Sequence, residues 1–325
     1  MEEAAQITEI ETFIPLTLQK PVDSELPLQR VVLCGDHLQN SPILQNIPLK
    51  QYTNLDQSLF ARLVRLGVPQ INLDQQGRAR PSIARIYSWR YKNLTTLPSL
   101  HTMPEFQTAN AGFKHEFQFV NVDDYKGVGE IEPQKHFVQN LGEAEYAVAV
   151  FMYMRLLDYP AEKISILTPY VGQRALIRDV LHRRCRNNPI FGLPRVVITV
   201  DKYQGEQNDY VILSLVRTKR VGYLRDIRRM TVAFSRARLG LYVLGRREVF
   251  ESCFELSEAF SRLTATGEGK LELVIGEMWP TERAEGAEGQ VAVMEGVEHL
   301  GQFVYEMTLT KVENLKQGEQ LQLEE

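Results

Sequence analysis

With 325 residues, 44% of them hydrophobic and 24% charged, the chain has room for about two globular domains of roughly 150 residues each. Its apolar runs fall short of the ~20 residues of a membrane span, its acidic start is unlike a signal peptide, and its three cysteines lie far apart, so we expect neither a membrane partner nor a disulfide framework. The net charge of −4 is unevenly distributed along the chain. Residues 267–325 hold 13 Glu against 4 Lys or Arg, whereas residues 217–247 are strongly basic. Such a basic segment is typical of a polyanion-binding patch or of a solvated helix face.

Strands and helices alternate along the first 266 residues. Apolar β-branched runs predict buried strands, and apolar residues at helical spacing predict helices. In chain order, we predict strands over 30–35, 70–73, 117–122, 164–167, 196–200, 211–216 and 241–244, and helices over 59–66, 81–91, 143–157, 173–185 and 225–237. This alternation predicts an α/β fold with a parallel, doubly wound sheet. Ligands of such sheets lie at the carboxyl ends of the strands, where we expect the polar loops to converge.

Two segments interrupt this alternation. Residues 123–140, with their Gly and Pro, predict a long loop. Residues 267–325 predict an acidic, partly disordered extension with one amphipathic helix. The apolar face of that helix carries Val297, Leu300, Val304 and Met307.

A polar elbow joins the two apolar runs at 196–200 and 211–216. Its residues are Gln204-Gly205-Glu206-Gln207-Asn208-Asp209. Gly205 supplies the backbone freedom for a tight turn. The sheet should therefore present a loop of amide and carboxylate groups at this point.

Two further segments carry acids that suit phosphate chemistry. Phosphoryl transfer needs one carboxylate to hold magnesium and one to orient the attacking water, a requirement that the pair Glu2 and Glu3 could meet. An acidic pair is, however, most often solvated surface. In GDHLQNSP, Gln39 follows Asp36 by three residues, which suits the sensing of a terminal phosphate but also an ordinary turn after a strand.

Arginines cluster in QGRARP, around Arg78, and in RRMTVAFSRAR, around Arg236 and Arg238. Guanidinium groups match phosphate oxygens bidentately, so one arginine of each cluster could face a nucleotide. The alternative is that these arginines lie on the surface and cap a sheet.

The order of these motifs carries a family resemblance. The series EEAAQ, GDHLQNSP, QGRARP, LTPYVGQ, VDKYQGEQNDYVILSLVRT and RRMTVAFSRAR resembles motifs II to VI of superfamily 1 RNA helicases of the nonsense-decay type. The segments between the motifs, such as QSLFARLVRLGVP, YSWRYKNL, PEFQTANAGF and NLGEAEYAVAVFMYM, resemble the Aquarius family of intron-binding spliceosomal RNA helicases. The resemblance covers about residues 1–266.

The resemblance implies ATP and Mg²⁺ as cofactors and a role for each motif. Glu3 would be the general base, and Arg78 and Arg236 would be the arginine fingers of catalysis. Glu2 would hold the metal. The implied cofactor-binding residues are Glu2, Gln6, Asp36, Gln39, Gly205, Gln207 and Arg238. The implied RNA-binding residues are Thr168, Pro169, Tyr170, Thr199 and Asp201.

The resemblance further implies part of a nuclear, ATP-dependent helicase that acts in pre-mRNA splicing, with the pre-mRNA intron, the spliceosome and proteins of the intron-binding complex as partners. The chain contains no GxxxxGK[ST] phosphate-binding loop, so we expect a fragment from motif II onward that is inactive alone. Residues 1–67 would end a first RecA-like motor domain, and residues 68–266 would form the second.

Two alternatives stay open. One is a non-catalytic RNA-binding or scaffold module with a vestigial nucleotide site, and the other is a different superfamily 1 RNA helicase of the nonsense-decay type. Gly77 favours the first alternative, because it stands where relatives carry a tyrosine that stacks on adenine. Gln207 favours it too, since it replaces a ribose-binding Glu.

Overall fold

A five-stranded parallel sheet is the centre of the computed structural model, which describes residues 1–18, 27–44 and 46–324. The strands, in chain order, are β1 (Gln75–Gln76), β2 (Thr95–Thr96), β3 (Phe117–Asn121), β4 (Glu130–Gln134), β5 (Phe137–Asn140), β6 (Ile164–Thr168), β7 (Val196–Thr199), β8 (Asn208–Ser214), β9 (Ala237–Gly245), β10 (Leu271–Val274) and β11 (Val291–Met294). The central sheet has the order β3-β9-β8-β6-β7, and every neighbouring pair in it is parallel. The predicted α/β fold is confirmed.

Helices cover both faces of this sheet. They are α1 (Glu9–Leu16), α2 (Ile47–Tyr52), α3 (Leu59–Arg65), α4 (Pro81–Ser88), α5 (Pro104–Gln107), α6 (Leu141–Leu156), α7 (Val171–Arg184), α8 (Ile227–Phe234), α9 (Arg247–Glu251), α10 (Ser257–Leu263) and α11 (Val297–Glu324). One hydrophobic cluster lies under α6, α7 and α11, and a second lies under α4, α8 and α10. The result is the three-layer arrangement of a doubly wound sheet. No helix among the described residues is long and apolar enough to cross a membrane.

Helix α6 is buried on nearly every side, although its sequence predicts an amphipathic helix. Its inner side faces the sheet, and α11 packs along its outer side. Leu300 and Val304 of α11 are fully buried there, with Val297 and Met307 partly buried beside them. The predicted apolar face of α11 is therefore confirmed, and it completes the core on this side of the sheet.

Two predicted strands are wrong. Residues 30–35 and 70–73 form no strand, and their apolar side chains are exposed, with Val32 at 69% and Ile71 at 94%. An apolar run becomes a strand only where a neighbour can complete its hydrogen bonds. Residues 30–35 have such a neighbour only in part. The Cys34 N–H donates to the Met1 carbonyl and the Cys34 carbonyl accepts from the Ala4 N–H, both at 2.9 Å.

The predicted loop over 123–140 is also wrong, because it contains the antiparallel hairpin of β4 and β5. Strand β4 is largely exposed, so it lacks the apolar alternation from which strands are recognised. Its base is fixed by Glu130, whose carboxylate accepts from the Thr218 N–H at 2.8 Å and pairs with Arg217 at 3.2 Å.

A buried carboxyl group joins α6 to the carboxyl end of β8. Glu143 is fully buried and accepts hydrogen bonds from the Ser214 hydroxyl at 2.7 Å and from the Val216 N–H at 2.8 Å. Asn140 donates to Glu143 at 3.3 Å and to the Val216 carbonyl at 3.2 Å. Burial raises the pKa of Glu143 to about 8, although these hydrogen bonds oppose the shift.

Glu143 should make the stability of the protein depend on pH. Between about pH 4.5 and about pH 8 the folded state holds a proton that the unfolded state releases, so the contribution of Glu143 is largest at low pH and declines as pH rises through 8. Within this interval, the free energy of unfolding falls by up to about 1.4 kcal/mol per pH unit for one proton. Urea unfolding of wild type and Glu143→Gln at pH 5.5, 7 and 8.5 measures this pH dependence.

We expect wild type to lose stability relative to Glu143→Gln as pH rises. The exposed Glu298→Gln serves as a control, which should follow wild type at every pH. A constant difference between wild type and Glu143→Gln would contradict the assignment.

Candidate functional site

The predicted site residues lie at both edges of the sheet, rather than at its carboxyl edge alone. Thr168 and Thr199 end β6 and β7 at the carboxyl edge, as predicted. The turn 204–207 and Arg236, in contrast, directly precede β8 and β9, at the amino edge. The expectation of a single edge fails because a loop between parallel strands must return to the opposite edge before the next strand begins.

The polar elbow is shorter than predicted. Asn208 and Asp209 already belong to β8, because neighbouring groups satisfy their buried side chains. Asn208 donates to the Ser165 hydroxyl at 2.8 Å, and Asp209 pairs with Lys163 at 3.2 Å and with Arg238. The remaining elbow, 204–207, follows a 3-10 helix (Val200–Tyr203) that carries the chain back from β7.

This shortened elbow contacts the acidic motif at the start of the chain. Gln204 donates to Oε2 of Glu3 at 2.8 Å, and Gln6 donates to the same oxygen at 3.0 Å. Gly205 has a φ of +81°, and a β-carbon there would stand 3.7 Å from Oε1 of Glu3. Within the described chain, Oε1 of Glu3 accepts no hydrogen bond. Glu3 is thus oriented through one oxygen, while the other is available to a proton donor.

Arg236 is almost completely buried, at 1% exposure. Its guanidinium donates to the carbonyls of Val232 at 2.9 Å and Glu206 at 3.1 Å, and to the side chains of Gln39 at 3.3 Å and Ser235 at 2.7 Å. All four acceptors are neutral. Arg236 therefore joins the elbow to the GDHLQNSP turn, and no carboxylate among the described residues contacts it directly.

Arg78 adds a second positive charge beside Arg236. It donates to Oε1 of Gln207 at 2.6 Å and to the Ser235 carbonyl at 3.0 Å, which are again neutral acceptors. Burial, and after it the positive charge of Arg78, lower the pKa of Arg236 to about 10. Two neighbouring guanidinium groups without an ion-pair partner among the described residues have the chemistry to bind an anion.

The GDHLQNSP turn is held by its own acid. Asp36 accepts from the Leu38 N–H at 2.9 Å, from Gln39 at 2.8 Å and from the Tyr91 hydroxyl at 2.6 Å. Gln39 consequently has its amide nitrogen on Asp36 and its amide oxygen on Arg236. Asp36 thus positions Gln39 and has no direct contact with Arg236.

Asp201 connects this region with the carboxyl edge. It lies in the 3-10 helix after β7, pairs with Arg229 at 3.5 Å and accepts from Asn40 at 3.4 Å. Burial raises its pKa, and Arg229 opposes that shift. The guanidinium of Arg229 also lies 4.9 Å above the ring of Tyr223.

The predicted RNA-binding residues at the end of β6 are buried. The side chains of Thr168, Pro169 and Tyr170 are covered, and the hydroxyl of Tyr223 donates to the Pro169 carbonyl. Tyr170 packs edge-on against Tyr223 with 4.9 Å between ring centroids. Thr199 is buried as well. A strand of RNA at this edge would therefore meet the loop that covers these side chains.

Two predicted cofactor residues stand apart from the arginine pair. Arg238 pairs with Asp209 and, at 3.5 Å, with Glu105, and it lies 5.5 Å from the ring of Phe106. Glu2 is exposed. The residues brought together are thus Glu3, Gln6, Gln39, Arg78, Arg236 and the elbow.

Sequence reasoning missed the roles of Tyr91 and Tyr223 in holding these loops. Tyr91 lies 55 residues from its partner Asp36, and Tyr223 lies 54 residues from Pro169. No spacing rule predicts such contacts. A tyrosine within a polar segment was the available signal.

The residues present fit a phosphorylated ligand with magnesium better than a resident metal. No group of three or more His, Cys, Asp or Glu side chains among the described residues could hold a metal ion. Magnesium is commonly held by one or two carboxylates together with substrate phosphates and water. The exposed Glu2, next to Glu3 in the chain, suits that shared mode.

Pyrophosphate should bind to the arginine pair and raise the thermal midpoint of the protein. At a pyrophosphate concentration one hundred times Kd, binding to the folded state adds about 2.7 kcal/mol. Arg78→Ala, which removes one of the two guanidinium groups, should lose most of this gain in differential scanning fluorimetry. Arg238→Ala removes the same charge from a residue that is turned away, so its gain should match wild type. Equal losses in both variants would contradict the site.

Comparison with known proteins identifies the family. Residues 55–248 match the model of the AAA domain family. RNA helicase aquarius of Mus musculus is 56% identical over 309 residues, which are 94% of this chain and 21% of that protein. Pre-mRNA-splicing factor cwf11 of Schizosaccharomyces pombe is 38% identical over 77% of this chain and 20% of its own length, and a regulator of nonsense transcripts 1 homolog of Arabidopsis thaliana is 33% identical over the same shares.

The chain spans about a fifth of the length of these relatives. The matched AAA domain range, residues 55–248, contains Arg78 and Arg236. The chain therefore belongs to the AAA domain family and, within it, to the Aquarius family of RNA helicases.

Proposed function

We propose that this chain is part of an ATP-dependent RNA helicase that acts in pre-mRNA splicing as an intron-binding component of the spliceosome. The observation that carries the proposal is the buried guanidinium of Arg236, which bonds both the Gln39 side chain and the Glu206 carbonyl and has no carboxylate partner among the residues that the structure describes. A triphosphate is the ligand that such a site accommodates. Relatives named as an RNA helicase and as a splicing factor support the rest.

Each residue of the cluster has a definable part in ATP hydrolysis. Bound ATP would supply the phosphoryl group, and Mg²⁺ would neutralise its charge. Arg78 and Arg236 would donate to phosphate oxygens, and the free Oε1 of Glu3 would take a proton from the attacking water. Glu2 would hold the metal, and Gln6 and Gln39 would report the presence of the terminal phosphate to the elbow.

Binding of RNA would be coupled to this site through the 3-10 helix after β7. Asp201 contacts the GDHLQNSP turn through Asn40 and the basic segment through Arg229. A change in the position of Gln39 can therefore reach the carboxyl edge through two contacts. The proposed partners are the pre-mRNA intron, the spliceosome and intron-binding complex proteins, in the nucleus.

The purified 325-residue chain should hydrolyse ATP negligibly. It contains no GxxxxGK[ST] motif, whose backbone and lysine cradle the phosphates. A coupled phosphate-release assay with Mg²⁺ and single-stranded RNA measures this. Robust magnesium-dependent hydrolysis by this chain would contradict the proposed division of labour.

In a full-length protein that carries this segment, Arg236→Ala should abolish RNA-stimulated ATP hydrolysis. Loss of an arginine finger lowers kcat by about 10³–10⁵. Arg238→Ala is the matched control, since its guanidinium pairs with Asp209 and Glu105, and we expect nearly normal kcat. Unchanged hydrolysis in Arg236→Ala would instead indicate an RNA-binding module with a vestigial nucleotide site.

A further inference from the structure

A basic turn after β8 lies directly over the carboxyl edge of the sheet. Residues 217–223 fold back onto Tyr170, so that a β-carbon on Gly222 would lie 3.5 Å from the Tyr170 hydroxyl. The guanidinium of Arg217 lies 5.7 Å from the centroid of the same ring. This turn is therefore the surface that covers the buried end of β6.

The turn is built on a strained residue that two side chains hold in place. Val216 has a φ of +76°, which is a sterically unfavourable conformation for a β-branched residue. Its N–H donates to Glu143 at 2.8 Å, and its carbonyl accepts from Asn140 at 3.2 Å. Both backbone groups of Val216 are thus fixed by buried side chains at the start of α6.

Arg217 and Glu130 close the turn. The Nε of Arg217 donates to the Arg220 carbonyl at 2.9 Å and lies 3.2 Å from the Glu130 carboxylate. Glu130 also accepts from the Thr218 N–H, and its own N–H donates to the Thr218 hydroxyl at 3.1 Å. These contacts neutralise Arg217 and leave little freedom for the backbone between residues 217 and 220.

The two remaining cations of the turn point outward. Lys219 and Arg220 are exposed, and neither forms an ion pair within the part of the chain that the structure describes. Adjacent Arg225, in contrast, is paired with Glu255 at 2.7 Å. A rigid backbone that presents two unpaired cations loses little conformational entropy when it binds an extended anion.

We propose that Lys219 and Arg220 bind the phosphate backbone of single-stranded RNA, and that Glu143 is a positioning residue that holds the turn for this contact. The inference rests on the proposed function, because it assumes that RNA lies at the carboxyl edge. It adds two contact residues to that edge, where Thr168, Pro169 and Tyr170 are themselves covered. Neither residue takes part in the nucleotide site, which lies at the amino edge.

Fluorescence anisotropy with a labelled oligouridine RNA of 15 nucleotides tests the contact, using the 325-residue chain across a salt titration. Loss of two phosphate contacts in Lys219→Ala/Arg220→Ala should reduce the salt slope by about 1.4, from about 0.7 per contact on a single strand, and weaken binding at least tenfold at low salt. The control Arg183→Ala/Arg186→Ala removes the same charge from exposed residues of α7 and the turn after it, at the amino edge, and should leave the slope unchanged.

The positioning role has its own readout. Glu143→Gln retains an acceptor for the Val216 N–H and should keep RNA affinity within about twofold of wild type. Glu143→Leu removes that acceptor and should lose affinity to the level of the Lys219→Ala/Arg220→Ala variant, with pyrophosphate binding at the amino edge unchanged. That unchanged binding shows that the variant is folded.

Several results would overturn the proposal. If wild type binds RNA and both double variants lose the same affinity, the turn has no specific contact, although the proposed function survives. If wild type does not bind RNA at all, the RNA part of the proposed function fails together with the inference. Loss of poly-glutamate binding alone in Lys219→Ala/Arg220→Ala would assign the turn to an acidic protein instead.

Discussion

The guanidinium of Arg236 is the interaction on which the candidate site depends. An arginine at 1% exposure must satisfy its donors internally, and here it does so with carbonyls, an amide and a hydroxyl from three different segments. These acceptors fix its position, but none of them balances its charge. The same arrangement therefore explains the order of the surrounding loops and underlies the proposed binding of an anion.

The fold around this residue separates two tasks on opposite edges of one sheet. Loops that precede β8 and β9 hold the elbow and Arg236, and loops that follow β6, β7 and β8 form the basic, tyrosine-rich edge. The 3-10 helix after β7 is the connection, because it follows the end of β7 at one edge and leads into the elbow that precedes β8 at the other. Asp201 sits within it and contacts both Asn40 and Arg229.

Much of the sheet could be predicted from the sequence, because runs such as 164–167 and 211–216 are apolar, β-branched and bounded by turn residues. The strands predicted at 30–35 and 70–73 fail for a reason that the same runs cannot reveal. A strand needs a neighbour with free hydrogen-bonding groups, and pairing is a property of the whole fold. The hairpin of β4 and β5 was missed for the opposite reason. Its two strands pair with each other, although β4 is largely exposed.

The candidate site, like the sheet, could be predicted from the sequence only in part. The motif types identified Glu3, Gln39, Arg78 and Arg236, which the structure brings together through Gln204, Glu206 and Gln207. Motif membership could not show that Arg238 would turn toward Asp209, because that depends on which carboxylate the next strand places beside it. It also could not reveal Glu143, whose partners Ser214 and Val216 lie more than 70 residues away.

The packing of α11 along α6 has a consequence for folding during translation. Helix α6 emerges from the ribosome long before α11, and its outer apolar side stays uncovered until Leu300 and Val304 arrive. During that interval the growing chain exposes a hydrophobic surface that only its own later residues can close. Chaperone engagement during translation would protect this surface until α11 packs against it.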